Sequence, residues 1–239
     1  MSDIYNYRPS TRSIKIINIK KCQLEVKKME KLNNFYEKFP GSYVAYIGFI
    51  FSVVFMSIAI LLYNDPNFTI FTHYISDLGA STRDSALFWN ISMIFTVPIR
   101  LLFGFYLLKF LEKRGANKKT IKITAYFMVI SAIGSTLIAL NPHDISRLFH
   151  MLGAFIYFIG VIVIQINISR MELKVENIPK YLPLVGFLVV ACYVLFLSFE
   201  ISELISESFK LLACFFEWMA FFSLMAWLVL HGYYTQVAK

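Results

Sequence analysis

The side chains able to do chemistry fall in three places. The first is Thr72-His73-Tyr74-Ile75-Ser76-Asp77-Leu78-Gly79-Ala80, where a histidine, a serine and an aspartate stand beside a glycine. The second is Asn141-Pro142-His143-Asp144, with His150 seven residues beyond His143. The third is a pair of isolated charges, Arg100 and Glu217, each inside a long apolar run. Histidine and carboxylate side chains can ligate a metal or exchange protons. His73, Asp77, His143 and His150 are therefore candidates for metal-assisted hydrolysis or acid–base catalysis. The metal signal rests on three dispersed histidines, His73, His143 and His150, without an HExxH pair or a CxxC spacing. No metal and no cofactor are expected. Asp77 has a second reading as a turn residue that accepts backbone N–H groups, with Gly79 free to take a positive φ. Asp144 can cap the helix that follows it.

These residues need elements to position them, and the composition says which kind. The chain has 239 residues, 58% hydrophobic and 16% charged, with a mean hydropathy of +0.62. Soluble domains carry about a quarter charged residues. The apolar residues come in blocks of about twenty, the length that crosses a hydrocarbon core of about 30 Å. The blocks are continuous and lack period-two alternation, which selects helices over barrel strands. The sequence predicts an all-α polytopic membrane protein, a six-transmembrane-helix bundle with both termini cytoplasmic. The spans fall near 43–63, 86–111, 120–140, 148–168, 181–200 and 209–231. A basic tail over 1–42 precedes them, with a surface helix or disordered chain as its two readings. A short tail, 232–239, follows.

Orientation comes from the basic residues. With the N-terminus inside, nineteen of the 23 Lys and Arg lie on the cytoplasmic side, three lie opposite, and Arg100 lies within a span. The net charge of +8 is thus a topology and lipid-headgroup signal, and no nucleic-acid partner is expected. The acidic and histidine-rich turns share the opposite, extracytoplasmic side. Glu217 lies about 12 Å below that side and Arg100 about 21 Å, at 1.5 Å per helical residue. Each charge costs at least about 2.5 kcal/mol near mid-bilayer, so each should face the bundle interior with a partner. Opposite signs predict an ion pair or a shared pocket, or else Arg100 snorkels toward the cytoplasm. Gly153, Ala154 and Gly160 predict a helix-packing stripe. Cys22, Cys192 and Cys214 read as packing thiols.

Ile75-Ser76-Asp77-Leu78-Gly79-Ala80, followed by Ser85-Ala86-Leu87-Phe88, resembles a signature of the FRAG/DRAM/SFK family. His150-Met151-Leu152-Gly153-Ala154 and Cys214-Phe215-Phe216-Glu217-Trp218-Met219-Ala220-Phe221 are similar to two later blocks of that family, in family order. This resemblance implies a six-helix protein of endomembranes (Golgi, ER or lysosome) or the plasma membrane, linked to lipid. The family's branches include post-GPI-attachment factors and damage-regulated autophagy modulators. It also implies that Asp77, His150 and Glu217 occupy family positions.

Together these readings predict an extracytoplasmic polar pocket built from Ser76, Asp77, Asp144, His150, Arg100 and Glu217. The leading expectation is a non-enzymatic membrane factor of lipid handling, in GPI-anchor remodelling or in autophagy or phosphoinositide regulation. Its partners would be membrane lipids, with a GPI or phosphoinositide headgroup in the pocket. The alternatives are a membrane-embedded lipid hydrolase or acyltransferase using the His/Asp cluster, and a small transporter.

Overall fold

The computed structural model describes residues 34–238. Most of the basic tail, and with it the expected surface helix and Cys22, lies outside the described residues. Residues up to Pro40 form a unit of their own, whose described part is helical over 34–38. The second unit, from Gly41 onward, is the helical bundle.

Six long helices make it: α1 (Gly41–Leu62), α2 (Ala86–Lys113), α3 (Lys118–Leu140), α4 (Arg147–Glu172), α5 (Tyr181–Glu203) and α6 (Lys210–Val237). Each is long and apolar enough to cross a membrane, and no strand occurs among the described residues. The chain is an all-α, multi-pass integral membrane protein. Large apolar side chains such as Leu61, Phe95, Phe155 and Leu184 point outward, as lipid contact requires.

Local sequence explains the helix ends. At the close of α2, Gly115 takes φ +90°. The Gly115 N–H donates to Glu112 O and the Ala116 N–H to Leu111 O, both at 3.0 Å. This is the Schellman pattern, which favours glycine because the position is left-handed. Asn117 then caps α3, its Oδ1 accepting from Lys119 N–H at 2.9 Å and Thr120 N–H at 3.1 Å. Pro98 sits inside α2.

Two helices end at least four residues beyond the spans that hydropathy predicts. α4 continues to Glu172 rather than stopping near 168, and α6 continues to Val237 rather than 231. The expected tail at 232–239 is therefore helical for most of its length. Both extensions follow from polar residues that find partners inside the bundle, described below.

Each helix packs mainly on its neighbours in sequence, and α6 closes on α1, so the six form a ring. The tightest seam joins α3 and α4. There Gly153 faces Gly134 O and Leu137, and Gly160 faces Ser131, as the small-residue stripe predicted. Cys192 and Cys214 are buried free thiols. We call the end of the ring carrying the basic α2–α3 and α4–α5 connections the inner end, and the opposite end the outer.

Candidate functional site

The outer end is closed by the α1–α2 connection, whose centre is a 3-10 turn, Ile75–Gly79. Asp77 makes this turn: its Oδ2 accepts the Tyr74 N–H at 2.9 Å. Ile75 and Leu78 are buried among Met56, Tyr63, Trp89 and Trp218. Burying two such aliphatic side chains contributes about 3–6 kcal/mol toward seating the turn. Gly79 is required by close approach, since a Cβ there would stand 2.2 Å from the Trp89 ring.

Helices then pin the turn's backbone. Glu217 Oε2 accepts the Ile75 N–H at 2.6 Å, and Trp218 Nε1 donates to His73 O at 3.0 Å. From α2, Asn90 Nδ2 donates to Gly79 O at 3.1 Å, while Ser85 Oγ, just before that helix, donates to Leu78 O at 2.7 Å. The Tyr74 hydroxyl donates to Glu203 at the end of α5. Burial, reinforced by that carboxylate, raises the Tyr74 pKa above its ordinary value.

The candidate histidines divide between two clusters. His73 stays on its own loop, with Nδ1 2.9 Å from Thr72 Oγ1 and Nε2 3.6 Å from Asp65 Oδ2. Arg83 shares that carboxylate at 3.3 Å. Asp65 sits below the usual carboxylate range, chiefly because it accepts the Asn67 N–H. His143 and His150 meet edge-on, ring centroids 5.8 Å apart, and His143 Nε2 lies 3.9 Å from Asp77 Oδ1. His150 Nδ1 bonds to Asn141 O at 3.0 Å. Asp77, His143 and His150 thus come together, whereas His73 does not join them. Among the described residues no group of three or more His, Cys, Asp or Glu is placed to hold a metal.

Asp144 has a different task from helix capping. It takes Ser81 N–H at 3.0 Å and Ser81 Oγ–H at 2.6 Å, tying the α3–α4 turn to the outer loop. Burial pulls its pKa up, but the Ser81 hydrogen bonds outweigh that and hold it below 3.8. A depressed native pKa contributes stability that is complete above the unfolded value and lost as pH falls through the native one. The expected result is that thermal stability of the wild type drops below about pH 4, while Asp144→Asn gives a flatter profile in that window. At pH 7 the variant should lose under about 1 kcal/mol, because the site is solvent-exposed. Thermal unfolding in detergent across pH 3 to 7 reads both.

The two deep charges do not pair. Arg100 donates from Nη1 to the Tyr157 hydroxyl at 3.0 Å and from Nη2 to Ser135 Oγ at 2.6 Å. Its guanidinium lies 5.2 Å from the Tyr157 ring centroid, and the Tyr157 hydroxyl is 3.4 Å from that of Tyr193. No carboxylate of the described residues forms an ion pair with it. The expected Arg100–Glu217 pair is not formed: Arg100 turns to Ser135 and Tyr157 on α3 and α4, while Glu217 accepts the Ile75 N–H of the outer loop. Arg100 instead borders a cavity of about 90 Å³ with a mostly apolar wall, including Phe103, Met128, Val161 and Leu228. Gln165 and Trp227 line its inner part.

A further polar group was not expected from the sequence. His231 on α6 and Glu172 on α4 are fully enclosed and in contact, Nε2 to Oε1 at 2.8 Å. The signal lay in spacing. His231 follows Glu217 by fourteen residues, four helical turns, so both lie on nearly one face of α6. Glu172 follows Gln165 by seven on α4, again on one face.

Residues 46–234 match a family described as Protein of unknown function (DUF998), and the chain belongs to that family. That family is distinct from FRAG/DRAM/SFK, and the expected membership of the latter is wrong. In this chain the residues of those three blocks form a turn pinned under Glu217 and Trp218 and a glycine seam between α3 and α4. No curated protein and no solved structure matches the chain.

Proposed function

We propose that this DUF998 protein is an integral membrane factor of lipid handling, and that its bundle admits the anionic end of a lipid-like amphiphile beside Arg100. The observation that carries this reading is the environment of that guanidinium. It sits near the middle of a 28-residue helix, about 20 Å from either end, and meets neutral oxygens only among the described residues. A cation at that depth costs at least about 2.5 kcal/mol and is retained where it serves a ligand or a pathway. A carboxylate or phosphate oxygen would take charge-assisted bonds from it, roughly twice as strong as those to neutral hydroxyls. The cavity's size suits such a group with its first few methylenes. Water alone needs only about 10–15 Å³ per molecule, and the apolar wall offers water few partners. In this reading the outer end faces away from the cytoplasm, in an endomembrane or the plasma membrane.

Native mass spectrometry of the detergent-purified protein tests it. The wild type should retain an anionic lipid. Arg100→Gln should lower that retention about tenfold or more, the equivalent of one charged hydrogen bond of about 1.5–3 kcal/mol. Retention of neutral lipid should not change. Equal anionic lipid on both proteins, or none on the wild type, would refute the proposal.

A further inference from the structure

A groove of about 520 Å³ opens at the outer end, between the start of α2 and the α3–α4 turn. Small-molecule sites occupy about 300–1,000 Å³. Its mouth holds Arg83 and Asp84, which lie just ahead of α2. Leu87, Ile91 and Ile94 carry it down that helix, and Pro142 closes the α3–α4 side. The three apolar residues stand at i, i+4 and i+7, so they share one face of α2. At 1.5 Å per residue the stripe reaches about 12 Å below the first residue of the helix. The groove therefore has a charged mouth at headgroup level and an apolar floor alongside the acyl chains.

The charges at the mouth are unequally matched. The Arg83 guanidinium is fixed in place, 4.4 Å from the Tyr63 ring centroid and 3.3 Å from Asp65 Oδ2. Asp65 balances its charge. Nη1 also donates to Tyr63 O at 3.5 Å, so Arg83 engages two of its five N–H donors. Its side chain is 36% exposed, and the remaining donors can reach an incoming oxygen. Asp144, the next carboxylate along this edge, is taken up by Ser81. Asp84 is exposed and enters no ion pair among the described residues. The mouth thus pairs a spare negative charge with a guanidinium that has donors to give. An occupant that satisfies both brings a cation to the first and an anionic oxygen to the second.

The lining selects the cation. A quaternary ammonium has no N–H to donate and is recognised by aromatic faces. No aromatic ring is among the residues that line this groove. A primary ammonium carries three donors and forms charge-assisted bonds to a carboxylate. A headgroup with net negative charge and no amine brings nothing to Asp84 and is repelled by it.

We propose that this groove is a site for a zwitterionic phospholipid with a primary-amine headgroup, the phosphatidylethanolamine class. The amine meets Asp84, the phosphate takes N–H groups from Arg83, and one acyl chain lies along Leu87, Ile91 and Ile94. The site is on the outer surface of α2 and is independent of any ligand beside Arg100.

The test is native mass spectrometry of the detergent-purified full chain, incubated with equal amounts of phosphatidylethanolamine and phosphatidylcholine of identical acyl chains. Neither lipid bears a net charge, so the outcome is separate from anionic lipid retention. The wild type should retain the ethanolamine lipid about tenfold more than the choline lipid, the scale of one charge-assisted hydrogen bond. Asp84→Asn should bring the two within about twofold. Its unfolding midpoint should match the wild type's, because Asp84 is exposed and unpaired. Arg83→Gln should lower retention of both lipids about tenfold, since both carry the phosphate. Arg83 also holds Asp65, so Ile91→Trp, which fills the apolar floor, is the second variant and should lower both as well. Equal retention of the two lipids by the wild type overturns the proposal, as does retention of neither. A preference that survives in Asp84→Asn overturns the role of that carboxylate. Arg83→Gln and Ile91→Trp both without effect would place the lipid elsewhere and overturn the site.

Discussion

Glu217→Leu is expected to destabilise the protein by about 1–3 kcal/mol and to open the outer loop, while Glu217→Gln should cost less than half as much. Two effects compete at this position. Leucine removes the cost of burying a carboxyl group, which favours the variant. It also strips the acceptor from the Ile75 N–H, now held at 2.6 Å in a buried setting. The second effect wins because the donor is backbone and cannot be withdrawn. Ile75 is buried in a cluster with Met56, Trp89 and Trp218, whose side chains carry no oxygen to replace the lost acceptor. Glutamine keeps a carbonyl oxygen in the same place, so it separates the acceptor's role from the carboxylate's. Thermal unfolding in detergent gives the global cost. Hydrogen exchange of the 72–80 amides gives the local one, and protection should be lost in Glu217→Leu at a temperature where the helices remain protected. If leucine and glutamine behave alike in both measurements, Glu217 does not hold the loop by accepting that N–H.

This role of Glu217 marks where reading the sequence succeeds and where it stops. The spans were legible because twenty apolar residues in a row admit few other structures. The turn at Ser76–Gly79 was legible because aspartate accepts backbone N–H groups; Gly79 does not use the positive φ expected of it and is required instead by its close approach to Trp89. Position along a helix was legible as well: Arg100 lies near the middle of α2 and Glu217 seven residues into α6. Direction around the helix axis and the order of helices in the ring were not, and these decide partners. Arg100 found Ser135 and Tyr157, on α3 and α4, while Glu217 found a backbone amide of the loop. The same limit hid His231 and Glu172. Hydropathy ended both helices early, because a histidine or glutamate near a span's end reads as interfacial when its partner lies on a helix far along the chain. The family resemblance failed for a related reason. In this chain the short blocks Ile75–Ala80 and His150–Ala154 mark a pinned turn and a glycine contact, local features too short to fix a family.

The seam between α3 and α4 supports the largest effect of a single methyl group. Gly134→Ala is expected to cost about 3 kcal/mol, whereas Gly104→Ala should cost less than about 1 kcal/mol. A Cβ on residue 134 would stand 2.6 Å from Tyr157 N and 2.7 Å from Gly153 O, both backbone atoms of the facing helix. Relief requires moving α4 as a whole, which breaks the close contact of Gly153 with Gly134 O along the same seam. In a bilayer no hydrophobic gain offsets that loss, since lipid tails are as apolar as the side chains they replace. A Cβ on residue 104 would come closer still, 1.9 Å, but the atom it meets is the Cε at the tip of Met128, which has three side-chain torsions to turn away. The clash distances alone therefore rank the two variants wrongly, and the mobility of the struck atom ranks them correctly. Tyr157 links this seam to Arg100, so Gly134→Ala should also lower retention of anionic lipid even at temperatures where the protein stays folded. Unfolding midpoints of the two alanine variants, with lipid retention measured by native mass spectrometry below both midpoints, check the ranking and the link. Equal midpoints would show that α4 yields as readily as a methionine side chain, and that the glycine contact does not set the ring's geometry.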